Sequence, residues 1–155
     1  MHLPHLQPFK RASIVFLTTC TQGRRTLLAC PEVHEVLRNI WQQSADRNGW
    51  FVEHYVLMPD HAHLFACPGH DALPLADWMQ LWKAIAAKRI NQAQHGRGAI
   101  WQPDYFDRFL RSLHDYSEKW QYVALNPVRK GLTETPEAWP YRGTIHDLRC
   151  HASRD

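Results

Sequence analysis

A chain of 155 residues has room for one hydrophobic core and too little for two domains of ordinary size, so it reads as a single domain over 1–155 with its core in about residues 13–141. Hydrophobic residues make up 45% and charged residues 21%, which excludes a disordered, charge-dominated chain. Eighteen Lys and Arg against fifteen Asp and Glu leave a net charge of +3, which permits a nucleic-acid partner without demanding one.

In chain order, Ser13 to Thr21 is rich in β-branched and aromatic residues and predicts a first strand, closed by Gln22-Gly23-Arg24-Arg25. Pro31 suits the first position of a helix in which Val33, Val36, Leu37, Ile40 and Trp41 recur at helical spacing until Asn48-Gly49 stops them. Trp50 to Met58 and His61 to Cys67 are two strand-like runs separated only by Pro59-Asp60, which predicts an antiparallel hairpin. Pro74 opens a second helix whose apolar stripe is Leu75, Trp78, Met79, Trp82, Ile85, Ala86 and Ile90, with Lys83 at its margin; it runs to about Gln94. Tyr105 to Arg111 predicts a fourth strand, and Ser112-Leu113-His114-Asp115 a capping box for a last helix that ends near Asn126, before Pro127. The order β-α-β-β-α-β followed by a helix is the ferredoxin-like, split βαβ arrangement of an α+β protein: an antiparallel sheet with helices on one face.

Cys20, Cys30, Cys67 and Cys150 form no C-x-x-C pair, which argues against a zinc ribbon, a redox motif or a disulfide scaffold and fits a reducing cytoplasm. No apolar run approaches the ~18 residues that span a membrane, so no membrane partner is expected.

Two constellations could carry chemistry. His61 and His63, two apart on a strand, present their imidazoles to one face and could hold one metal ion. The spacing alone is uninformative, because eleven histidines in 155 residues give about 0.8 H-x-H pairs by chance. Two half-buried strand histidines are the plain alternative. Tyr122 and Asn126 are four apart on the last helix, and Tyr122 lies about half a turn from the stripe of Tyr116, Trp120 and Val123. Taken alone, Tyr122 is better explained by packing against another element, and Asn126 by a helix stop before proline.

Three blocks stand in order along the chain: Val56-Leu57-Met58-Pro59-Asp60-His61-Ala62-His63-Leu64-Phe65, Ile100-Trp101-Gln102-Pro103, and Tyr122-Val123-Ala124-Leu125-Asn126-Pro127-Val128-Arg129-Lys130-Gly131-Leu132. Together they resemble the single-tyrosine HUH transposases and, within them, the REP-associated tyrosine transposases. The likeness runs in order from about Ser13 to Tyr141. It implies a metal-dependent endonuclease and strand transferase acting on single-stranded DNA with hairpins, REP-like or element ends, through a 5′-phosphotyrosine. In that resemblance His61 and His63 match the pair that holds Mg²⁺ or Mn²⁺, Asn126 the polar third ligand and Tyr122 the nucleophile. Ala62 departs from the bulkier residue usual between the two histidines.

DNA phosphates would be met by Lys10, Arg11, Arg24, Arg25, Lys83, Arg97, Arg108, Arg111, Arg129 and Lys130 taken collectively, with Trp or Tyr rings to stack on unpaired bases; most of the seven tryptophans are better explained as core. The protein is expected as a monomer or homodimer. The competing readings are a nucleic-acid-binding module of the same fold without strand transfer, and a small metal-dependent hydrolase using water as its nucleophile.

Overall fold

The computed structural model describes residues 14–147. Strand β1 (Val15–Cys20) leads through a short 3-10 turn to helix α1 (Pro31–Asn48), then to the hairpin β2 (Trp50–Met58) and β3 (His61–Pro68). Helix α2 (Leu75–Gln94), edge strand β4 (Phe106–Phe109), helix α3 (Leu113–Ala124), the helical turn α4 (Asn126–Arg129) and the short strand β5 (Arg142–Thr144) follow. The sheet order is β4-β1-β3-β2-β5 and every pairing is antiparallel. Its first four strands have the split βαβ order expected from the sequence.

Period-two alternation gives the sheet two apolar faces. Val15 and Leu17 of β1, Leu57 of β2, and Ala62, Leu64 and Ala66 of β3 pack under α1 and α2 with Leu37, Trp41, Trp78 and Trp82. Trp50 stacks flat on Trp78 at 4.8 Å, and Trp41 meets Trp82 edge-on. The opposite face carries Ile14, Phe16, Val56, Met58, Phe65 and Cys67 and is covered by Tyr116 and Val123 of α3 with Trp139. Helices therefore cover both faces, α1 and α2 on one and the tyrosine-bearing helix on the other. Six tryptophans, Trp41, Trp50, Trp78, Trp82, Trp101 and Trp139, are buried, in keeping with their reading as core.

Local chemistry explains the element ends. Pro31 starts α1, and Gly49 ends it in the left-handed region at φ 77°. Ser112 Oγ accepts from the Asp115 backbone N–H at 3.0 Å, whereas the Asp115 carboxylate receives the Arg111 N–H and the Arg108 guanidinium, so only half of the expected capping box forms. The last helix ends two residues earlier than expected, at Ala124, and the chain then resumes a helical turn at Asn126 in spite of Pro127. Proline is compatible with the first turn of a new helix, where its missing N–H has no partner to lose. Strand β5 was not foreseen. Among the described residues no helix is long and apolar enough to cross a membrane.

Gly49 gives a direct test of this packing. A Cβ there would stand 2.7 Å from the Ala72 Cα, a backbone atom that cannot step aside, and would sit at an unfavourable positive φ. Gly49→Ala should lower the unfolding free energy by about 1–3 kcal/mol in urea titration. Because Gly49 precedes Trp50, which pairs with Pro68 at the end of the sheet far from His61, the folded variant should bind DNA as the parent does.

Candidate active site

The site is built on the β1–β3 ladder, where Cys20 opposes His61 and Thr18 opposes His63. The parity that sends Ala62 and Leu64 into the α1/α2 core turns His61 and His63 toward α3. Ala62 is fully buried on the other face, so its small size bears on the packing beneath the strand and not on the imidazoles. The two rings are 4.7 Å apart between centroids and nearly perpendicular.

Each imidazole is held through Nδ1. His61 Nδ1–H donates to Asp60 Oδ1 at 2.8 Å, and Asp60 also receives the Arg24 guanidinium at 3.0 Å. His63 Nδ1 is 2.8 Å from Thr18 Oγ1, and its ring stacks on Phe16. Both Nε2 atoms are thereby directed away from these partners; the Asp60 carboxylate selects the Nδ1–H tautomer of His61 that a metal-binding histidine requires, and the Thr18 hydroxyl can accept from the same tautomer of His63. Asn126, itself buried, places Nδ2 3.2 Å from His63 Nε2; turning the amide over would present Oδ1 to the same point in exchange for its contact with Arg129. Burial holds both histidines below their ordinary pKa, His63 down to about 3, with Lys119 and Arg129 adding to the effect at His63. Asp60 is held below the usual carboxylate range against its own desolvation by His61 and Arg24. Two neutral imidazoles and an amide form a donor set that fits a divalent cation with open positions, and their buffered Nδ1 atoms are the supporting contacts such a site needs. Among the described residues no group of three or more His, Cys, Asp and Glu could hold a metal, so the mixed His-His-Asn set is the candidate.

Tyr122 is 60% exposed, on the side of α3 away from buried Tyr116 and Val123. It is not joined to Asn126 along one continuous helix. Arg129 makes the connection: its guanidinium lies 3.8 Å from the Tyr122 ring centre, donates to the Tyr122 carbonyl at 2.6 Å and reaches Asn126 Oδ1 at 3.4 Å. Lys119 stands 5.2 Å from the Phe16 ring centre and 5.9 Å from that of Tyr122. A chain of contacts thus runs from Tyr122 through Arg129 and Asn126 to His63 and Thr18.

The basic residues fall into separate groups. Arg24, Arg129 and Lys130 border the histidines. Exposed Arg25 bonds the Ala99 carbonyl, and Arg97 is exposed on the same loop. Arg108 pairs with Asp115 beside exposed Arg111 at the start of α3. Lys10 and Arg11 lie outside the described residues. Lys83 departs from the picture of a free surface charge: it is a buried residue of α2, and its ammonium donates to the Gln102 and Asp104 carbonyls at 2.8 and 3.4 Å, so its charge is engaged by the main chain. Sequence reasoning missed Thr18, Asp60 and Lys119. The Asp60-His61 adjacency was a usable signal; Thr18 becomes visible only once the strand register is known.

Comparison with known proteins gives the class of this fold, that of DNA-processing enzymes. The family model for IS200-like transposases matches residues 12–120, well over half of the chain, and the chain belongs to that family of DNA transposases. That match includes His61 and His63 and stops just before Tyr122. The chain is 28% identical over 138 residues to a REP-associated tyrosine transposase of Escherichia coli K12, spanning 84% of this chain and 75% of that protein. It is 24% identical over 151 residues, 92% of this chain and 85% of the relative, to a Haemophilus influenzae Rd protein named for the same group. Among solved structures, a REP-associated tyrosine transposase bound to a REP hairpin superposes with a TM-score of 0.66 at 22% identity, over 84% of this chain and 76% of that one, a likeness of fold.

The depressed pKa of His63 has a consequence for stability. Between about 3 and the ordinary 6.5 the unfolded chain takes up a proton that folded His63 refuses. The stability contributed by neutral His63 is therefore complete above pH 6.5 and drains away as the pH falls toward 3. In metal-free buffer, lowering the pH from 7 to 4.5 should cost the parent about 1–2 kcal/mol more than His63→Gln; parallel losses in urea titrations would contradict this.

Proposed function

We propose that this chain is a metal-dependent single-stranded DNA endonuclease and strand transferase, in which Tyr122 is the nucleophile and His61, His63 and Asn126 hold the cation. The observation that carries this reading is the meeting of neutral imidazoles, a buried amide and an exposed tyrosine at one end of one sheet face, linked by Arg129. Hairpin-containing DNA is the proposed substrate. Support comes from the similarity to a REP-associated transposase and from the hairpin held by the solved structural neighbour.

Phosphodiesters resist nucleophiles because their charge repels them. A bound Mg²⁺ or Mn²⁺ would supply neutralisation of a non-bridging oxygen and orientation of phosphorus. The protein's own groups do the rest. Asp60 and Thr18 fix the two rings, Asn126 contributes its amide oxygen, and Arg129, Lys119 and Lys130 favour the backbone anion. The Tyr122 oxygen gives up its proton and bonds to phosphorus as the P–O3′ bond breaks, leaving a 5′-phosphotyrosine and a free 3′-hydroxyl. Attack by a 3′-hydroxyl on that phosphotyrosine restores a phosphodiester and returns the phenol. Water is a poor substitute as nucleophile in this reading, because hydrolysis would discard the bond energy that rejoining needs. Arg24, Arg25, Arg97, Arg108 and Arg111, with Lys10 and Arg11, are proposed as further phosphate contacts.

Incubation with single-stranded hairpin DNA and Mn²⁺ followed by denaturation should trap a covalent protein-DNA adduct in the parent. Tyr122→Phe should abolish it while hairpin affinity stays within about twofold, since only one exposed hydroxyl is removed. DNA binding without adduct in the parent would instead identify a binding module.

The ligand set is checked separately by calorimetry. His61→Ala and His63→Ala should each lose Mn²⁺ binding and cleavage together. Asn126→Ala should fold and cleave at least about tenfold more slowly, whereas Asn126→Asp should bind Mn²⁺ at least as well as the parent and rejoin strands less efficiently. An Ala variant with parental rate and parental Mn²⁺ affinity would reduce Asn126 to a helix-turn residue.

A further inference from the structure

Strand β2 carries one irregularity, and it lies directly beneath α3. Val52 pairs with Ala66 and Tyr55 with Leu64, so Glu53 and His54 together stand opposite Phe65 alone. Val52 and Tyr55 both point into the α1/α2 core. The two residues between them are thereby directed toward α3, which an unbroken strand would not allow for neighbours.

Both grip the same helix face. Glu53 is fully buried, and the hydroxyl of fully buried Tyr116 donates to Glu53 Oε1. His54 stacks on Trp120 with ring centres 4.2 Å apart and planes within 11°, and its Nδ1 is 2.8 Å from Thr144 Oγ1 of β5. Phe65, opposite the bulge, touches both Tyr116 and Trp120, and the Arg142 guanidinium of β5 lies 5.8 Å from the Trp120 ring centre. Tyr116 and Trp120 are one turn apart, so together they hold the helix at two heights.

We propose that this bulge is a positioning device: Glu53 and His54 set the roll of α3 about its axis and so aim Tyr122 at the metal site. The inference rests on the reading of Tyr122 as the nucleophile. An apolar contact tolerates sliding, whereas a hydrogen bond to a buried carboxyl does not, because an unpaired buried polar group is costly. A well-packed apolar pair would serve burial at least as well, so the polar pair is better accounted for by geometry than by stability. The leverage is large. Tyr122 follows Tyr116 by six residues, and its hydroxyl swings on a radius of roughly 9 Å about the helix axis, so a roll of ~10° moves it by about 1.5 Å. Displacements of that size at a reacting atom cost about 10²-fold in rate.

The test is single-turnover adduct formation on saturating hairpin DNA with Mn²⁺, together with hairpin affinity and thermal midpoint, for the parent, Tyr116→Phe, Glu53→Leu and Glu53→Gln. Tyr116→Phe and Glu53→Leu should remain folded, bind the hairpin within about twofold and form adduct at least about tenfold more slowly. Glu53→Gln should recover most of the rate, since its amide oxygen still accepts the Tyr116 hydroxyl, and Tyr116→Phe combined with Glu53→Leu should be no slower than the worse single variant. Tyr116→Phe is the decisive case, being nearly isosteric: a folded variant with parental rate overturns the proposal while the nucleophile reading stands. Midpoints that fall in Glu53→Leu without any change in single-turnover rate also overturn it, because that is the signature of a structural bond alone. Absence of adduct in the parent would remove the nucleophile reading and the positioning role with it.

Discussion

The site depends on the side-chain parity of β3. This strand is central, paired on both sides, and its alternate residues divide cleanly between two cores, Ala62, Leu64 and Ala66 on one and Phe65 and Cys67 on the other. A slip of one residue would drive both imidazoles into the apolar core beneath α1 and α2 and turn Ala62, Leu64 and Ala66 toward α3, exchanging two packed sets of different shape. With the register fixed, Thr18 and Asp60 fall into place beside His63 and His61 without further specification. The histidines are presented by the central strand of the sheet, and the tyrosine by a helix laid over it.

That helix is where polar interactions take over from apolar ones. Its stripe contributes Tyr116 and Val123 to the core, and burial of such side chains stabilises the association by roughly 1.5–3 kcal/mol each. Burial is non-directional, however, and leaves the roll of the helix loosely specified. The Tyr116–Glu53 bond, the Trp120–His54 stack and the contacts of Arg129 with Tyr122 and Asn126 supply direction. Strand β5, only three residues long, has a part in this, since Thr144 holds the His54 ring and Arg142 lies near Trp120.

Much of this architecture was legible in the sequence, for reasons that can be named. Helices α1 and α2 carry long 3.6-residue periodicities with Pro at the start and, for α1, Gly at the end, and the hairpin has a two-residue turn with strong turn chemistry. The off-stripe position of Tyr122 followed from helix angles and agrees with its exposure. What was illegible depends on partners distant in sequence. Arg142–Thr144 is too short to show a pattern and becomes a strand only because the β2 edge is open to it. Lys83 looked like a marginal stripe residue with a free charge, yet the carbonyls that absorb that charge come from a loop about twenty residues away. The bulge at Glu53 and His54 was hidden because a strand read alone gives no sign of where its partner drops a residue.

Electrostatics tie the proposed chemistry to this framework. A site that binds a phosphodiester needs positive charge, while imidazoles that bind a cation must stay unprotonated, and one arrangement serves both. Lys119 and Arg129 lower the basicity of His63, and Arg24 and Lys130 that of His61, in each case reinforcing burial. In the proposed reading the same cations would raise the local concentration of DNA backbone. Among the described residues Asp60 is the one carboxylate bonded directly to either imidazole, and its oxygens are committed to His61 Nδ1 and to Arg24. Its charge therefore orients a ring from behind instead of opposing the substrate from in front. The second imidazole is oriented by a neutral hydroxyl, Thr18, so fixing both rings costs the site a single negative charge. At His63 Nε2, where in the proposed reading the phosphate would approach, the protein places the Asn126 amide, and Arg129 joins that amide to Tyr122.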